Sequence, residues 1–383
     1  MKPIPILILS DSPAIRSGLA KITRHLADLL SKMPEFRVAT LGRGLATSSH
    51  LPWPQYTYPE DSNWGQEYLR SAVDDLGAEV VLTILDPSRI HWLTRPQYLP
   101  DAPLRDYLLA RRFKLWSYLP VDHMGPTGGL SAFCADSIQG VDRLLAYSMF
   151  GAEVLKGTLN REVEWIPHGC NLDTFQPRDS VATRAGFQLN DTHTIIGTVM
   201  TNQSRKDWGC AAATIAQLKK TLPNLVWWIC VDEMVRYWDL NALIVDYGLE
   251  KMTVPLMGMN TTDTMMSYYY SMCDLTILPT LGEGFGYPVV ESLACGVPCI
   301  TTNYAGSVEL VPRKEWLIEP VAWRLDGQYN CVRPVTRPED WAVAITKALE
   351  SRASIEECRE SVRFLDWPNL APVWQKWLLG GLK

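Results

Sequence analysis

No apolar run in this 383-residue chain approaches the roughly 18 consecutive residues that a bilayer span requires. Internal repetition is missing too, with no period in the range of about 20 to 50 residues, which excludes solenoids and propellers. Metal-ligand spacing is poor: of nine cysteines only Cys295 and Cys299 stand close together. No second Cys/His pair lies near them, so a zinc site is not expected. An odd number of cysteines scattered through apolar segments reads as buried reduced thiols in a cytosolic protein. Positive charge is not in excess either. The net charge of −6 argues against a broad nucleic-acid surface. Neither half carries Gly-x-Gly-x-x-Gly after a first strand with an acid about 20 residues on, which disfavours a dinucleotide oxidoreductase. The opening Met1 to Ile8, broken by Pro3 and Pro5, lacks a cleavage site and reads as a strand. A soluble, cytoplasmic protein with no transmembrane segment is therefore expected.

What is present is a chain 47% hydrophobic and 20% charged, ample for a core and too long for one ordinary domain. Ile4 to Leu9 reads as a strand ending in Ser10-Asp11-Ser12-Pro13, followed by an amphipathic helix over Leu19 to Leu30. Further strands are expected over Arg37 to Thr40, Glu79 to Leu85, Lys114 to Leu119, Arg143 to Tyr147 and Val163 to Ile166. After Pro177 the pattern restarts. Strands fall over Thr194 to Met200, Leu225 to Val231, Thr253 to Leu256 and Leu275 to Pro279. Helices fall over Trp208 to Leu222, capped by Asp207, and over Thr262 to Met272. Strands separated by helices make mostly parallel sheets, so the fold class is α/β with two doubly wound, Rossmann-like domains facing a cleft. The expected division is 1–175, 176–362 and a terminal helix in 363–383. Pro338 to Ser351 is a further helix, and Phe364 to Leu379 a final one. Trp367, Trp374 and Trp377 in that last segment need burial, across the first domain or on the second. Most of the 15 tryptophans, Trp227 and Trp228 among them, read as core.

The chemistry concentrates in Leu278-Pro-Thr-Leu-Gly-Glu-Gly-Phe-Gly-Tyr-Pro-Val-Val-Glu-Ser-Leu-Ala-Cys-Gly-Val-Pro298. A strand runs into a loop holding Gly282, Gly284 and Gly286, and a helix begins near Pro288, where a missing N–H costs nothing. Glycines let backbone amides approach a ligand closely, and a helix N-terminus favours negative charge before it. Glu283 lies in the loop, with Glu291 in about the first turn of the helix. Carboxylates flanking a phosphate cradle suit hydroxyl-rich ligands.

The spacing Glu283-x7-Glu291, with Gly-Phe-Gly between and Ala-Cys-Gly-Val-Pro after, resembles the donor-site signature of retaining GT-B glycosyltransferases. These are the glycogen-synthase-like and mannosyltransferase-like enzymes of glycosyltransferase family 4, or glycosyl transferases group 1. Ile166-Pro-His-Gly-Cys-Asn-Leu-Asp-Thr-Phe-Gln-Pro177 is similar to the family's interdomain segment. Tyr268 to Pro279 is similar to the helix and strand leading into the donor motif. The resemblance implies that Glu283 faces the transferred sugar and that Glu291 binds ribose hydroxyls. It implies amides of Gly284, Phe285 and Gly286 at the phosphates, Gly18 close to them, and a nucleobase near Met257 to Met259. The family's paired cations after the first strand of the second domain fall on Gly197-Thr-Val-Met-Thr-Asn-Gln-Ser-Arg-Lys-Asp207 only in part. Lys206 matches the second, with Arg205 beside it, but Met200 or Thr201 stands at the first. Acceptor-side candidates are Asp122 or His123, with Asp86 and Arg89 as weaker ones. His168 reads as a hinge residue. Glu309 is expected to order a helix start below the donor loop, where Gly306 and Ser307 offer amides.

The implied reaction moves a sugar from a UDP- or GDP-sugar to an acceptor with retention, through an oxocarbenium-like transition state. No cofactor is expected, and no metal, since no Asp-x-Asp appears in a suitable loop. In the family's front-side mechanism the leaving phosphate accepts the acceptor proton. The acceptor, whether glycan, lipid, small molecule or modified nucleobase, is not legible. Two other readings share the fold: a nucleotide-sugar epimerase or phosphorylase, and a non-catalytic sugar-nucleotide-binding protein.

Overall fold

The computed structural model describes residues 2–62, 64–258 and 261–382. The chain divides into two compact units. The first comprises Met1–Gly169, Asp326–Cys331 and Trp367–Lys383; the second comprises Cys170–Leu325 and Val332–Asp366.

In the first unit seven strands form one sheet: β1 (Ile4–Asp11), β2 (Phe36–Arg43), β3 (Gln55–Tyr58), β4 (Val80–Thr83), β5 (Lys114–Leu119), β6 (Arg143–Ala146) and β7 (Glu164–Trp165). Their order is β3-β2-β1-β4-β5-β6-β7, and every pairing is parallel. Ile6, Leu7, Ile8 and Leu9 are all fully buried, as expected for a strand covered on both faces. Ser17 caps the helix Gly18–Ser31 by accepting from the Ala20 amide.

The second unit repeats the scheme with β8 (Thr194–Val199), β9 (Leu225–Val231), β10 (Thr253–Met257), β11 (Leu275–Leu278), β12 (Cys299–Thr302) and β13 (Leu317–Ile318). The order is β10-β9-β8-β11-β12-β13, again parallel throughout. β14 (Ala322–Asp326) and β15 (Cys331–Val335) make a separate two-stranded sheet. Both large sheets are thus doubly wound and Rossmann-like. The order reverses between β1 and β4 in the first and between β8 and β11 in the second. Crevices at such reversals, beyond the carboxyl ends of the strands, are where open α/β sheets bind ligands.

Several boundaries differ from the sequence expectations. The helix from Trp208, capped by Asp207, ends at Leu218 rather than Leu222, because Pro223 disfavours helical geometry just before it. The last segment does not run as one helix from Phe364. A 3-10 turn over Arg363–Leu365 leads to extended Asp366, and the helix is Trp367–Gly380. Pro368 sits comfortably in that first turn, whereas Pro372 inside the helix removes a backbone donor. Trp374 and Trp377 are buried within the first unit, edge-on to Tyr118 and Trp116 at 4.9 and 5.3 Å between ring centres. Arg143 lies 4.3 Å over the Trp377 ring and also donates to its carbonyl. Gly169 is a close-approach glycine, since a Cβ there would fall 2.3 Å from the Trp367 ring. All nine cysteines are buried and unbridged. Among the described residues no His/Cys/Asp/Glu group could hold a metal, and no helix is long and apolar enough to cross a membrane.

Candidate functional site

The reversal between β8 and β11 brings two loops together. Asp207 donates its amide to the Pro279 carbonyl at 3.0 Å, and the Leu281 amide donates to the Arg205 carbonyl at 2.8 Å. Lys206 and Thr280 pair as an isolated antiparallel bridge. These backbone bonds zip the loop after β8 onto the loop after β11. Their side chains converge on one carboxylate. Glu283 Oε1 accepts from Thr280 Oγ1 and Arg205 Nη1, each at 2.9 Å, and from Lys206 Nζ. Arg205 Nη1 also donates to the Gly282 carbonyl at 2.9 Å, and Arg333 Nη1 to the Leu281 carbonyl at 3.2 Å. Glu283 and Lys206 are both buried. Burial alone would raise the Glu283 carboxyl, but Arg205 and Lys206 outweigh it and hold it below the usual carboxylate range.

The loop ends at Gly286, which caps the helix Tyr287–Ala294 with φ of +111°. A Cβ there would sit 3.0 Å from the Ser307 Cβ in a backbone region L-residues avoid, so glycine is required. Pro288 lies in the first turn, as the sequence implied. Glu291 is the fifth residue of the helix, in its second turn rather than its first. It is buried there, and Tyr270 donates its hydroxyl to Glu291 Oε2 at 2.9 Å. Phe285 is buried edge-on to Tyr287, and Gly284 is half-buried. The Gly306 amide is not open to a ligand, as it donates to the Glu283 carbonyl at 2.8 Å. Glu309 lies in the 3-10 turn Gly306–Leu310.

Asn202 is the polar anchor that sequence reasoning missed. Fully buried, it donates Nδ2 to the carbonyls of Glu233 and Trp238 and accepts from the Trp238 amide. Trp238 Nε1 in turn donates to the Lys206 carbonyl at 2.9 Å. The loop after β9 is thereby fixed over the basic pair. Thr280, one residue past Pro279, was also missed. Met257, at the end of β10, is exposed; its neighbour Met259 lies outside the described residues.

The structure therefore gathers Arg205, Lys206 and Glu283 on contiguous hydrogen bonds and leads from them into the helix bearing Glu291. Met257 ends a strand two places further along the sheet. Gly18, Asp122 and His123 belong to the first unit. Gly18 opens its helix exposed, and a Cβ placed there would meet nothing within 4 Å. His123 Nδ1 lies 2.5 Å from Asp122 Oδ1. Burial disfavours the imidazolium, yet Asp122 together with Cys331 raises His123 to about 9. Asp86 pairs with Arg89 at 2.9 Å, and Arg89 stacks 4.2 Å over Trp64. Beside them Asp11 accepts from Ser17 Oγ at 2.5 Å and Arg43 Nε at 2.9 Å, a pair no sequence motif announced. His168 is buried against Tyr118, its Nδ1 2.8 Å from the hydroxyl, and burial holds its pKa well down.

Comparison with known proteins bears on the family and the fold. Residues 183–363 match the profile of the family described as Glycosyl transferases group 1. The D-inositol 3-phosphate glycosyltransferase of Mycobacteroides abscessus is 26% identical over 235 residues, 57% of this chain and 48% of that protein. The serotype-specific mannosyltransferase WbdA of Escherichia coli is 30% identical over 78 residues, 20% of this chain and 9% of that one. The chain thus spans about half the length, or less, of these curated relatives. Among solved structures, sucrose-phosphate synthase from Thermosynechococcus elongatus superposes with a TM-score of 0.75 at 18% identity, covering 98% of each chain. HepE from Anabaena, solved in complex with UDP and glucose, gives 0.73 at 14% identity over 98% of this chain and all of that one. The fold is that of GT-B glycosyltransferases, and the match to the group 1 profile falls on its second unit.

Proposed function

We propose that the chain transfers a sugar from a UDP- or GDP-sugar to an acceptor hydroxyl with retention of anomeric configuration. The observation that supports this best is the Arg205–Lys206–Thr280–Glu283 cluster at the strand-order reversal, inside the family-matched segment. A carboxylate held ionised by two cations can face a sugar without titrating near neutral pH.

In this reading Arg205, Lys206 and the amides of Gly284, Phe285 and Gly286 stabilise charge building on the leaving diphosphate. The helix Tyr287–Ala294 directs its N-terminus to the same charge. These groups supply the compensation a divalent metal would otherwise give, and no cofactor is assigned. Glu283 faces the sugar and steadies the positive charge of the oxocarbenium-like transition state. Glu291 binds the ribose. The base lies toward Met257, and Gly18 near the phosphates. The bond from the anomeric carbon to the leaving phosphate oxygen breaks as the acceptor oxygen bonds to the same face. The acceptor proton passes to that leaving phosphate. Asp122 and His123 are assigned to the acceptor side, where a charged imidazole can donate to a hydroxyl-rich molecule. The acceptor is left among glycan, lipid, small molecule and modified nucleobase. Nine buried free thiols fit a reducing, cytoplasmic setting.

The test is a melting-temperature screen against UDP, GDP, ADP, CMP and their sugar conjugates without added metal. Ligand that binds only the folded state raises the transition by mass action. One nucleotide should stand clear of the rest, and incubation of its sugar conjugate with candidate acceptors should give a product of unchanged anomeric configuration. No shift with any nucleotide on folded protein would overturn the donor-site reading, binding without turnover would favour the non-catalytic reading, and an epimerised sugar nucleotide would favour the epimerase.

A further inference from the structure

Three consecutive tyrosines, Tyr268, Tyr269 and Tyr270, lie near the end of the helix Asp263–Ser271, and the fold gives each a different surrounding. Tyr268 is exposed beneath the Arg178 guanidinium. Tyr269 packs against Phe187 and Trp228. Tyr270 is fully buried, edge-on to Phe175, and its hydroxyl reaches Glu291 Oε2 at 2.9 Å.

That hydrogen bond joins two helices on either side of β11 through the one acid of the helix Tyr287–Ala294. A glutamate has three side-chain torsions, and ordering a long side chain costs affinity unless something fixes it beforehand. We propose that Tyr270 is a positioning residue for the donor nucleotide: by holding Oε2 of Glu291 it presents the carboxylate, already oriented, to the ribose hydroxyls. This rests on the donor-site reading above and adds to it a residue that never touches the ligand. The phenol is suited to the task. Burial first, and then the Glu291 charge, push its pKa well above the usual value, so it stays a donor. The thiols of Cys230 and Cys295 nearby are pushed up to about 12, with Glu291 contributing to both, so they bring no competing charge. A carboxylate is acceptor-only and so suits a vicinal diol, which is donor on both hydroxyls.

The test compares wild type, Tyr270→Phe and Tyr269→Phe by calorimetric titration. The probes are whichever of UDP, GDP, ADP or CDP wild type binds, and the 2′,3′-dideoxy form of that nucleotide. Tyr270→Phe keeps the ring and removes only the donor, so the melting transition is read first to establish that each variant is folded. A lost hydrogen bond to a charged group predicts roughly tenfold weaker binding of the ribonucleotide by Tyr270→Phe. Binding of the dideoxy nucleotide should be the same in all three proteins, because it lacks the groups Glu291 would hold. In steady state KM for the sugar nucleotide should rise by the same factor with kcat kept. Unchanged ribonucleotide affinity, or an equal loss for the dideoxy form, overturns the proposal and leaves the donor site standing. If wild type binds none of the four nucleotides, the donor-site reading itself falls, and this inference with it.

Discussion

Glu283 is a buried acid with two cations on one of its oxygens, and that coupling sets what its loss should do. In Glu283→Gln the cations Arg205 and Lys206 keep their places without their counter-charge, which costs about 3–5 kcal/mol when a buried pair is broken from one side. Turnover should fall on the order of a hundredfold, while nucleotide affinity changes less. Glu291→Ala should show the reverse, with donor affinity lost first; equal loss of affinity in both variants counts against the assigned roles. His123 makes a second forecast, in pH. Its folded pKa of about 9 lies above the unfolded value of about 6.5, so its protonated form stabilises the fold fully below pH 6.5 and loses this as pH rises through 9. Equilibrium unfolding should find His123→Asn about 3 kcal/mol less stable than wild type at pH 6 and nearly equal to it at pH 10. At this scale the sequence disclosed what chemistry is packed into consecutive residues. Glu283 and Glu291 stand in and beside a loop whose glycines and spacing mark them, and the resemblance that motif carries led to Arg205 and Lys206. Asn202, Thr280, Tyr270 and Asp11 were hidden because their partners lie across the fold: Asn202 meets Trp238 36 residues on, and Asp11 meets Arg43 32 residues on.

Among elements, the loop from Pro279 to Gly286 turns into its helix on a glycine of positive φ. Gly286→Ala should cost about 1–3 kcal/mol from the left-handed backbone and the push on Ser307, and nucleotide-induced stabilisation should shrink with it. The helix Trp367–Gly380 offers a larger effect. Trp374→Ala empties a fully buried site beside Tyr118 and Trp377, and chemical denaturation should register a loss of about 3–5 kcal/mol. Strands Lys114–Leu119 and Leu225–Val231 were read to the residue: the second is an unbroken apolar run between Asn224 and Asp232, and the first is mostly apolar and aromatic and stops at Pro120. β12 escaped because its four residues are too short a run to stand apart from the helix and the Gly296-Val297-Pro298 turn before it. β14 escaped because its residues are almost all exposed and show no buried face to periodicity.

At the level of the whole molecule, the doubly wound α/β class was legible because fully buried parallel strands write themselves as continuous apolar runs. Chain path was less legible. The residues that complete the first unit include Asp326–Cys331 and Trp367–Lys383, and only the tryptophans of the latter hinted at a distant burial site. A protein ended at Asp366 should therefore leave Trp116 and Tyr118 uncovered and bind a hydrophobic dye, with the near-ultraviolet signature of its tryptophans weakened.

That path has a consequence for synthesis. A ribosome emits the seven-stranded sheet first, yet the helix that seals it is not made until nearly two hundred further residues have appeared. The second unit is almost continuous in sequence and can close as soon as it emerges, whereas the first must wait, partly unsealed, for the whole of it. At about 5–20 residues per second that delay is on the order of ten to forty seconds, long enough for chaperones to hold the first unit until the helix Trp367–Gly380 arrives.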